Sequence, residues 1–454
     1  MTQRSKDLLL AWYGDDFTGA AAVMEVLAFA GLPAMLFLDV PTVDQLARYA
    51  HLKAIGVAST ARAQSPEWMD QNLPHAFKAL LDLSPQLFHY KICSTLDSSP
   101  TAGSIGRAIE IAADLTNSAQ LPILVAAPQM RRFQMFGHFF SGHGDTVYRL
   151  DRHPVMARHP VTPMTESDVA RHISLQSDRL ETSLWSVEDI AANRAPKTAN
   201  TPDHIQAFTM DCIDAQTESA AGRQLWENRA QNPFVVGSQG VEFALVRHWI
   251  DTGVLPEQTP LSSAGRAQGM VTISGSVSPT TADQIAWSRA NGFDAIRFDA
   301  TQACGDILTL DTEIDNIVTA SLASISKGRD PLIFTAEGPD DPAVTQFIAA
   351  VKQSGKTSSE VNQRIGEALG TALLRILTQS KIRRAVISGG DTSGFATRQL
   401  GIFALSALAP TIPGASLFKA HADGAMDGLE LALKGGQMGS PDYFGWIRDG
   451  GGIK

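Results

Sequence analysis

Leu8-Leu9-Leu10-Ala11-Trp12-Tyr13-Gly14-Asp15-Asp16-Phe17-Thr18-Gly19-Ala20 reads as a strand that stops on two acidic residues, turns, and opens an Ala-rich helix. In open α/β sheets the ligand crevice lies at the carboxyl ends of parallel strands. Asp15 and Asp16 therefore fall where such folds do chemistry. Neighbouring carboxylates disfavour each other's ionisation, so the pair invites a cation, a proton or an activated hydroxyl. A structural reading stands beside this one, in which one Asp caps the helix and the other is solvated.

The same rhythm continues outward. Short apolar runs at residues 34–38, 54–58, 87–92 and 123–126 read as strands, and residues 20–30, 67–81 and 104–115 as helices. A polar, Arg/His/Pro-rich passage at 141–182 interrupts the pattern before strand signals return at 207–210 and 234–237. Turn formers dominate 251–268, which reads as a linker. Strands at 270–273, 295–298, 332–335 and 385–387 then alternate with helices at 280–290, 343–351 and 361–377. Strands alternating with helices predict mainly parallel sheets flanked by helices. A chain of 454 residues exceeds one ordinary core. The expected fold is α/β with two domains, 1–250 and 269–454.

Hydrophobic content of 44% and charged content of 19% describe a soluble globular chain. A formal net charge of -10 argues against a nucleic-acid partner, although local Arg and Lys can still bind an anionic small molecule. Cys93, Cys212 and Cys304 form no CxxC pattern and fit a reduced compartment. The N-terminus lacks the flanks of a signal peptide, and no stretch approaches a membrane span. The expected location is the cytoplasm, with no membrane partner, and a homodimer is left open.

Three turns in the second half share one chemistry. Ser274-Gly275-Ser276-Val277-Ser278, Ser388-Gly389-Gly390-Asp391-Thr392 and Lys434-Gly435-Gly436-Gln437-Met438-Gly439 place glycines and hydroxyls where backbone N–H groups can approach an anion. Together they favour phosphate binding over ordinary tight turns. By contrast, Ala350-Val351-Lys352-Gln353-Ser354-Gly355-Lys356-Thr357 spells a relaxed P-loop but follows an amphipathic helix. A P-loop joins a strand to a helix, so this stretch reads as a helix end capped by Gly355.

On the first half, Lys91-Ile92-Cys93-Ser94-Thr95 follows a strand with one cation and several hydroxyls, suiting a polyhydroxylated anion. Arg131-Arg132 follows Pro128, and Arg grips a carboxylate in a fork that Lys cannot match. Arg131 reads as a surface residue. Arg152-His153-Pro154 recurs as Arg158-His159-Pro160, reading equally as a cationic loop over an anion or as a solvated loop.

These motifs, in this order and across nearly the whole chain, resemble the four-carbon acid sugar kinase family. The resemblance rests on Asp15-Asp16-Phe17-Thr18-Gly19-Ala20, Lys91 with Ser94-Thr95, Arg132 after a Pro, Gly275–Ser278, Gly389–Gly394 and Lys434–Gly439. It implies an N-terminal acid-sugar domain, a C-terminal nucleotide domain, and ATP-dependent phosphorylation of threonate, erythronate or an oxo-tetronate at the terminal hydroxyl. It further implies Asp15 or Asp16 as the base. The acceptor would lie on Thr18, Lys91, Ser94, Thr95, Arg132 and Arg152, and ATP on Ser276, Ser278, Gly389, Gly390, Asp391, Thr392 and Gly436. Mg2+ is expected with the nucleotide, with no protein ligand assigned. The chain departs from the family where Arg131 replaces a Gly, Asp391 a more usual Glu, and Leu96-Asp97-Ser98-Ser99-Pro100 the commoner Leu-Arg-Gly-Asn, which marks a distinct subgroup. The rival readings are a two-domain ligand sensor and, with no GxGxxG after the first strand, a dehydrogenase.

Overall fold

The computed structural model describes residues 8–116, 118, 120–159, 161–197, 204–257 and 263–453. Outside them lie the N-terminal segment behind the leader reading, Pro160 of the Arg-His-Pro repeat, residues 258–262 of the linker stretch, and the side chain of Asp391. The chain divides into two compact units, Met1–Thr259 and Pro260–Lys454.

The first unit is built on β1 (Leu10–Gly14), β2 (Ala34–Phe37), β3 (Ala54–Ala58), β4 (Leu87–Lys91) and β5 (Leu121–Leu124). Its later strands are β6 (Arg132–Met135), β7 (His138–His143), β8 (Thr146–Arg149), β9 (Leu180–Trp185), β10 (Ile205–Met210) and β11 (Phe234–Gly237). The main sheet runs in the order β2-β3-β1-β4-β11-β5-β10-β9. Every pairing in it is parallel. Strands β1 to β5 are buried along their whole length. That is why they appear in the sequence as continuous apolar runs rather than alternations. In register, Gly14 pairs with Ala58 on one side and Lys91 on the other. The carboxyl ends of β1, β3 and β4 therefore open onto one crevice.

Just before the polar passage and into its start, the chain forms strands that the sequence reading did not anticipate. Strands β6, β7 and β8 form a separate three-stranded antiparallel sheet. Phe136 and Gly137, at φ +48° and +79°, make the two-residue hairpin between β6 and β7, a twist that matches paired strands. The buried Asp211 carboxylate fixes this hairpin, accepting from Phe136 N at 2.7 Å and Gly137 N at 3.0 Å.

The second unit carries β12 (Val271–Ser274), β13 (Phe293–Arg297), β14 (Asp330–Phe334), β15 (Arg384–Ser388), β16 (Ile402–Ala409), β17 (Leu417–Ala422) and β18 (Glu430–Lys434). The order is β13-β14-β12-β15-β18-β17-β16. It is parallel through β18 and antiparallel from there. Met270, Phe293, Leu332, Phe334, Val386, Tyr443 and Phe444 belong to its core. The helix Gly240–Asp251 ends on the first residue of the stretch read as a linker, and near its end Ala264 N and Ala267 N donate to Gly450 O and Arg448 O at 2.9 Å. Backbone pairing, not an apolar period, holds those residues. Among the described residues no helix is long and apolar enough to cross a membrane.

Candidate active site

The first cluster forms at the end of β1. Asp16 caps the helix Phe17–Phe29, its Oδ1 accepting from Gly19 N at 2.9 Å. Asp15 is buried rather than solvated, and Arg62 grips it as a fork, Nε to Oδ2 at 3.1 Å and Nη2 to Oδ1 at 2.6 Å. The same Nη2 donates to Asp16 Oδ1 at 2.6 Å. Arg62 comes from the turn after β3, where its own backbone N–H bonds Asp15 O at 2.9 Å. Lys91 closes β4, buried, its Nζ donating to Ile92 O at 2.6 Å. The groups meet at Gly19. A Cβ there would lie 2.4 Å from Asp16 Oδ1, 2.5 Å from Lys91 Nζ and 3.5 Å from Arg62 Nη2. Only glycine leaves room for this convergence.

Burial raises the Asp15 carboxyl above its ordinary value, with Arg62 opposing and Asp16 adding to the rise. Burial works against the Arg62 charge, yet Asp15, Cys93 and Asp16 hold its pKa well above that of a free arginine. Cys93 acts electrostatically on Arg132 as well, whose pKa burial lowers. Ser94 and Thr95 follow it, half-buried, with Thr95 Oγ1 at 3.1 Å from Cys93 Sγ. Arg132 Nη1 donates to three carbonyls, Met130 O, Arg131 O and Gly142 O, while its Nε is buried with no partner among the described residues. Thr18 is half-buried in the first helical turn.

The Arg-His-Pro repeat resolves into imidazoles that cap turns. His153 Nδ1 accepts from Val155 N and Met156 N at 3.2 Å, and His159 Nδ1 from Thr162 N at 3.1 Å. Thr162 Oγ1 donates to Asp97, so the loop is tied to the very segment that departs from the family pattern. His153, not Arg152, turns inward, and Arg132 is among the charges acting on it. Arg152 is exposed, its charge felt by Asp151. Arg131 holds the left-handed conformation that suits the family's Gly, at φ +55° and ψ +44°. A side chain there costs about 1 kcal/mol. Arg131→Gly is accordingly expected to be more stable than Arg131→Ala by about that amount in denaturant titration. Equal stabilities would show that the turn is unstrained.

The second unit contains a cavity of about 460 Å³ whose lining includes Gly275, Ser276, Gly389, Gly390, Thr392 and Gly436. Gly389 adopts φ +124° and leads the helix Gly390–Gln399, which has no side-chain cap. The first N–H groups of a helix lack intrahelical acceptors and favour an anion. Gly275 and Thr392 interlock the two turns, since a Cβ on Gly275 would lie 2.3 Å from Thr392 Oγ1. Ser276 lines the cavity. Ser278 lies behind it, capping the helix Pro279–Ala290 and donating to Gly436 O. The apolar wall, which includes Val344, Phe347 and Ile348, carries the residues sequence reasoning missed. Their spacing with Val351 marks one helix face, but not that part of the face borders a cavity.

The relaxed P-loop spelling lies where its pattern predicted. The helix Pro342–Ser354 ends on Gly355 in the left-handed conformation, and Lys356 Nζ donates to Cys304 O at 2.9 Å. Lys356→Ala is expected to leave turnover within about twofold of wild type, as for other substitutions near a surface. A loss of several orders of magnitude in steady-state rate would make this stretch a nucleotide site.

A model of a sugar-binding N-terminal domain matches residues 10–245, and one of a nucleotide-binding C-terminal domain matches residues 271–444. The chain is 41% identical over 446 residues to the 3-oxo-isoapionate kinase of Paraburkholderia graminis, covering 98% of this chain and 94% of the relative. It is 28% identical over 446 residues to the 3-oxo-tetronate kinase of Cupriavidus necator, covering 96% and 95%. A solved Haemophilus influenzae structure matches with a TM-score of 0.71 at 22% identity, over 96% of this chain and 99% of that one, which speaks for the fold. A nucleotide-binding domain and a sugar-binding domain, matched end to end by kinases, define an ATP-using phosphotransferase whose acceptor is an alcohol group of a sugar acid. The chain belongs to the four-carbon acid sugar kinase family.

Proposed function

We propose that the chain transfers the γ-phosphoryl group of ATP to the terminal hydroxyl of a small 3-oxo sugar acid, of the 3-oxo-isoapionate type ahead of the four-carbon 3-oxo-tetronates, threonate or erythronate. The carrying observation is the meeting of a carboxylate, an ammonium and a guanidinium at Gly19. The order of preference is supported by the higher identity to the 3-oxo-isoapionate kinase.

In this reading Lys91, Arg132 and the outer edge of Arg62 receive the acid's carboxylate and oxo oxygens, with Ser94, Thr95 and Thr18 on its hydroxyls. Asp15 has both oxygens engaged by Arg62 and serves to hold that guanidinium. Asp16 Oδ1 is likewise engaged, but Oδ2 has no partner among the described residues. Asp16 Oδ2 is therefore assigned to orient the acceptor hydroxyl and take its proton. The nucleotide's phosphates are assigned to the Gly389–Gly390 and Gly436 turns and its base to the Phe347 wall. Among the described residues no three His, Cys, Asp or Glu side chains are grouped to hold a metal. Mg2+ would be held by phosphate oxygens and water, as it commonly is, and would supply charge neutralisation to phosphoryl transfer. The test is ADP release with each 3-oxo acid, each tetronate and the matching neutral polyols. The acids should exceed the polyols by about 100-fold or more in kcat/KM, about what loss of a charged hydrogen-bonded contact costs. Equal turnover of a neutral polyol would remove the cationic cluster as the acceptor site.

A further inference from the structure

Lys434 ends β18 immediately before the Gly435–Gly436 turn, and it is 2% exposed. Its Nζ donates to Ser388 Oγ and Gly435 O, both at 3.0 Å, and lies 5.8 Å from the centre of the Phe444 ring. Ser388 ends β15, the strand that runs into Gly389–Gly390. The Lys434 carbonyl accepts from Gly389 N at 2.9 Å. The ammonium therefore sits at the junction of the two strands whose turns line the cavity. Among the described residues it makes no ion pair. On the surrounding elements, Arg384 holds Glu430, Arg448 pairs with Asp330, Asp442 accepts from Ser440, and Ser406 bonds His421. Arg398 and Lys419 are exposed. A buried cation without a carboxylate is costly to keep charged. Burial pushes its pKa down to about 8.

We propose that Lys434 is a positioning residue for the nucleotide. Its ammonium is the charge counterpart of the polyphosphate, made whole only when phosphate occupies the turns above it, and it takes up a proton as the nucleotide binds. The inference rests on the assignment of the cavity to the nucleotide. A merely structural lysine would also brace the two turns, but it would not couple nucleotide affinity to pH in alkaline solution.

The experiment is a titration of the full-length protein with ADP between pH 7.5 and 9.5, by calorimetry in two buffers of different ionisation enthalpy. The second ionisation of a phosphate monoester lies near pH 6, so the ligand's own charge is constant over this range. For a group near pH 8 in the free protein and well above it in the complex, ADP affinity should fall roughly 10- to 25-fold across the range. Net proton uptake should appear at pH 8. Lys434→Arg, which keeps the charge but does not titrate, should lose the uptake and flatten the profile. Wild-type binding with constant affinity and a buffer-independent enthalpy overturns the role of Lys434 and leaves the cavity assignment standing. No ADP binding at any pH overturns both.

Discussion

Asp16→Asn is expected to lower kcat by roughly 10²–10⁴-fold, the usual contribution of a positioned base, with ATP affinity and thermal stability close to wild type. Asn caps a helix about as well as Asp, so the bond from Gly19 N survives. Asp16 is half-buried, and the guanidinium that pairs with it keeps its fork on Asp15. The change therefore removes the charge and basicity of Oδ2 and little else. Asp15→Asn should behave differently. It breaks a bidentate pair whose carboxylate is 3% exposed. Arg62 is not left alone in that variant, because its Nη2 still donates to Asp16 Oδ1 and burial already opposes the Asp15 charge. The signature of Asp15→Asn is a raised acceptor KM through a re-aimed Arg62, with a smaller effect on kcat than Asp16→Asn. Steady-state kinetics separates the two, with calorimetric melting as the control. Full activity in a stable Asp16→Asn protein would remove Asp16 from the chemistry.

Gly390→Val should weaken ATP binding by about 100-fold or more and leave the fold intact. Beyond its chain neighbours and its own helix backbone, a Cβ on Gly390 meets no atom within 4 Å, and the residue lines the cavity. The added isopropyl group thus enters the space assigned to phosphate, where backbone N–H groups must come within hydrogen-bond distance of it. Gly436→Val is a less clean probe, because its Cβ would lie 2.3 Å from Ser276 Oγ and disturb the turn itself. Equilibrium binding of ATP to Gly390→Val, with the melting temperature as control, decides the point. Undiminished affinity would move the nucleotide elsewhere.

The parallel strands were legible because they are buried on both faces, as the fully buried Ala54–Ala58 and Phe234–Gly237 illustrate. The acidic turn and the glycine turns at Gly275 and Gly389 were legible for a related reason, since each follows such a strand directly, whereas the strand Glu430–Lys434 before Gly435 was not anticipated. Arg62 was not, because it joins Asp15 through the pairing of β1 with β3, across 47 residues of sequence. No local pattern announces such a partner, although a cation just past the end of a neighbouring parallel strand is the place to look. Strands β6 to β8 hid in short alternations broken by Gly137 and Gly144. Their hairpin signal, a residue-plus-Gly pair between alternating stretches, was present at Phe136-Gly137. The Arg-His-Pro repeat showed its regularity but not its purpose, because capping by Nδ1 depends on backbone N–H groups that composition does not reveal.

Phosphorus NMR of the reaction of the purified protein with ATP, Mg2+ and 3-oxo-isoapionate tests the central claim most directly. The account predicts one equivalent of ADP and one equivalent of a phosphate monoester on the terminal carbon of the acid, with no free phosphate accumulating. ATP left intact with every 3-oxo acid and tetronate, or ATP hydrolysed to free phosphate with no ester formed, would contradict it.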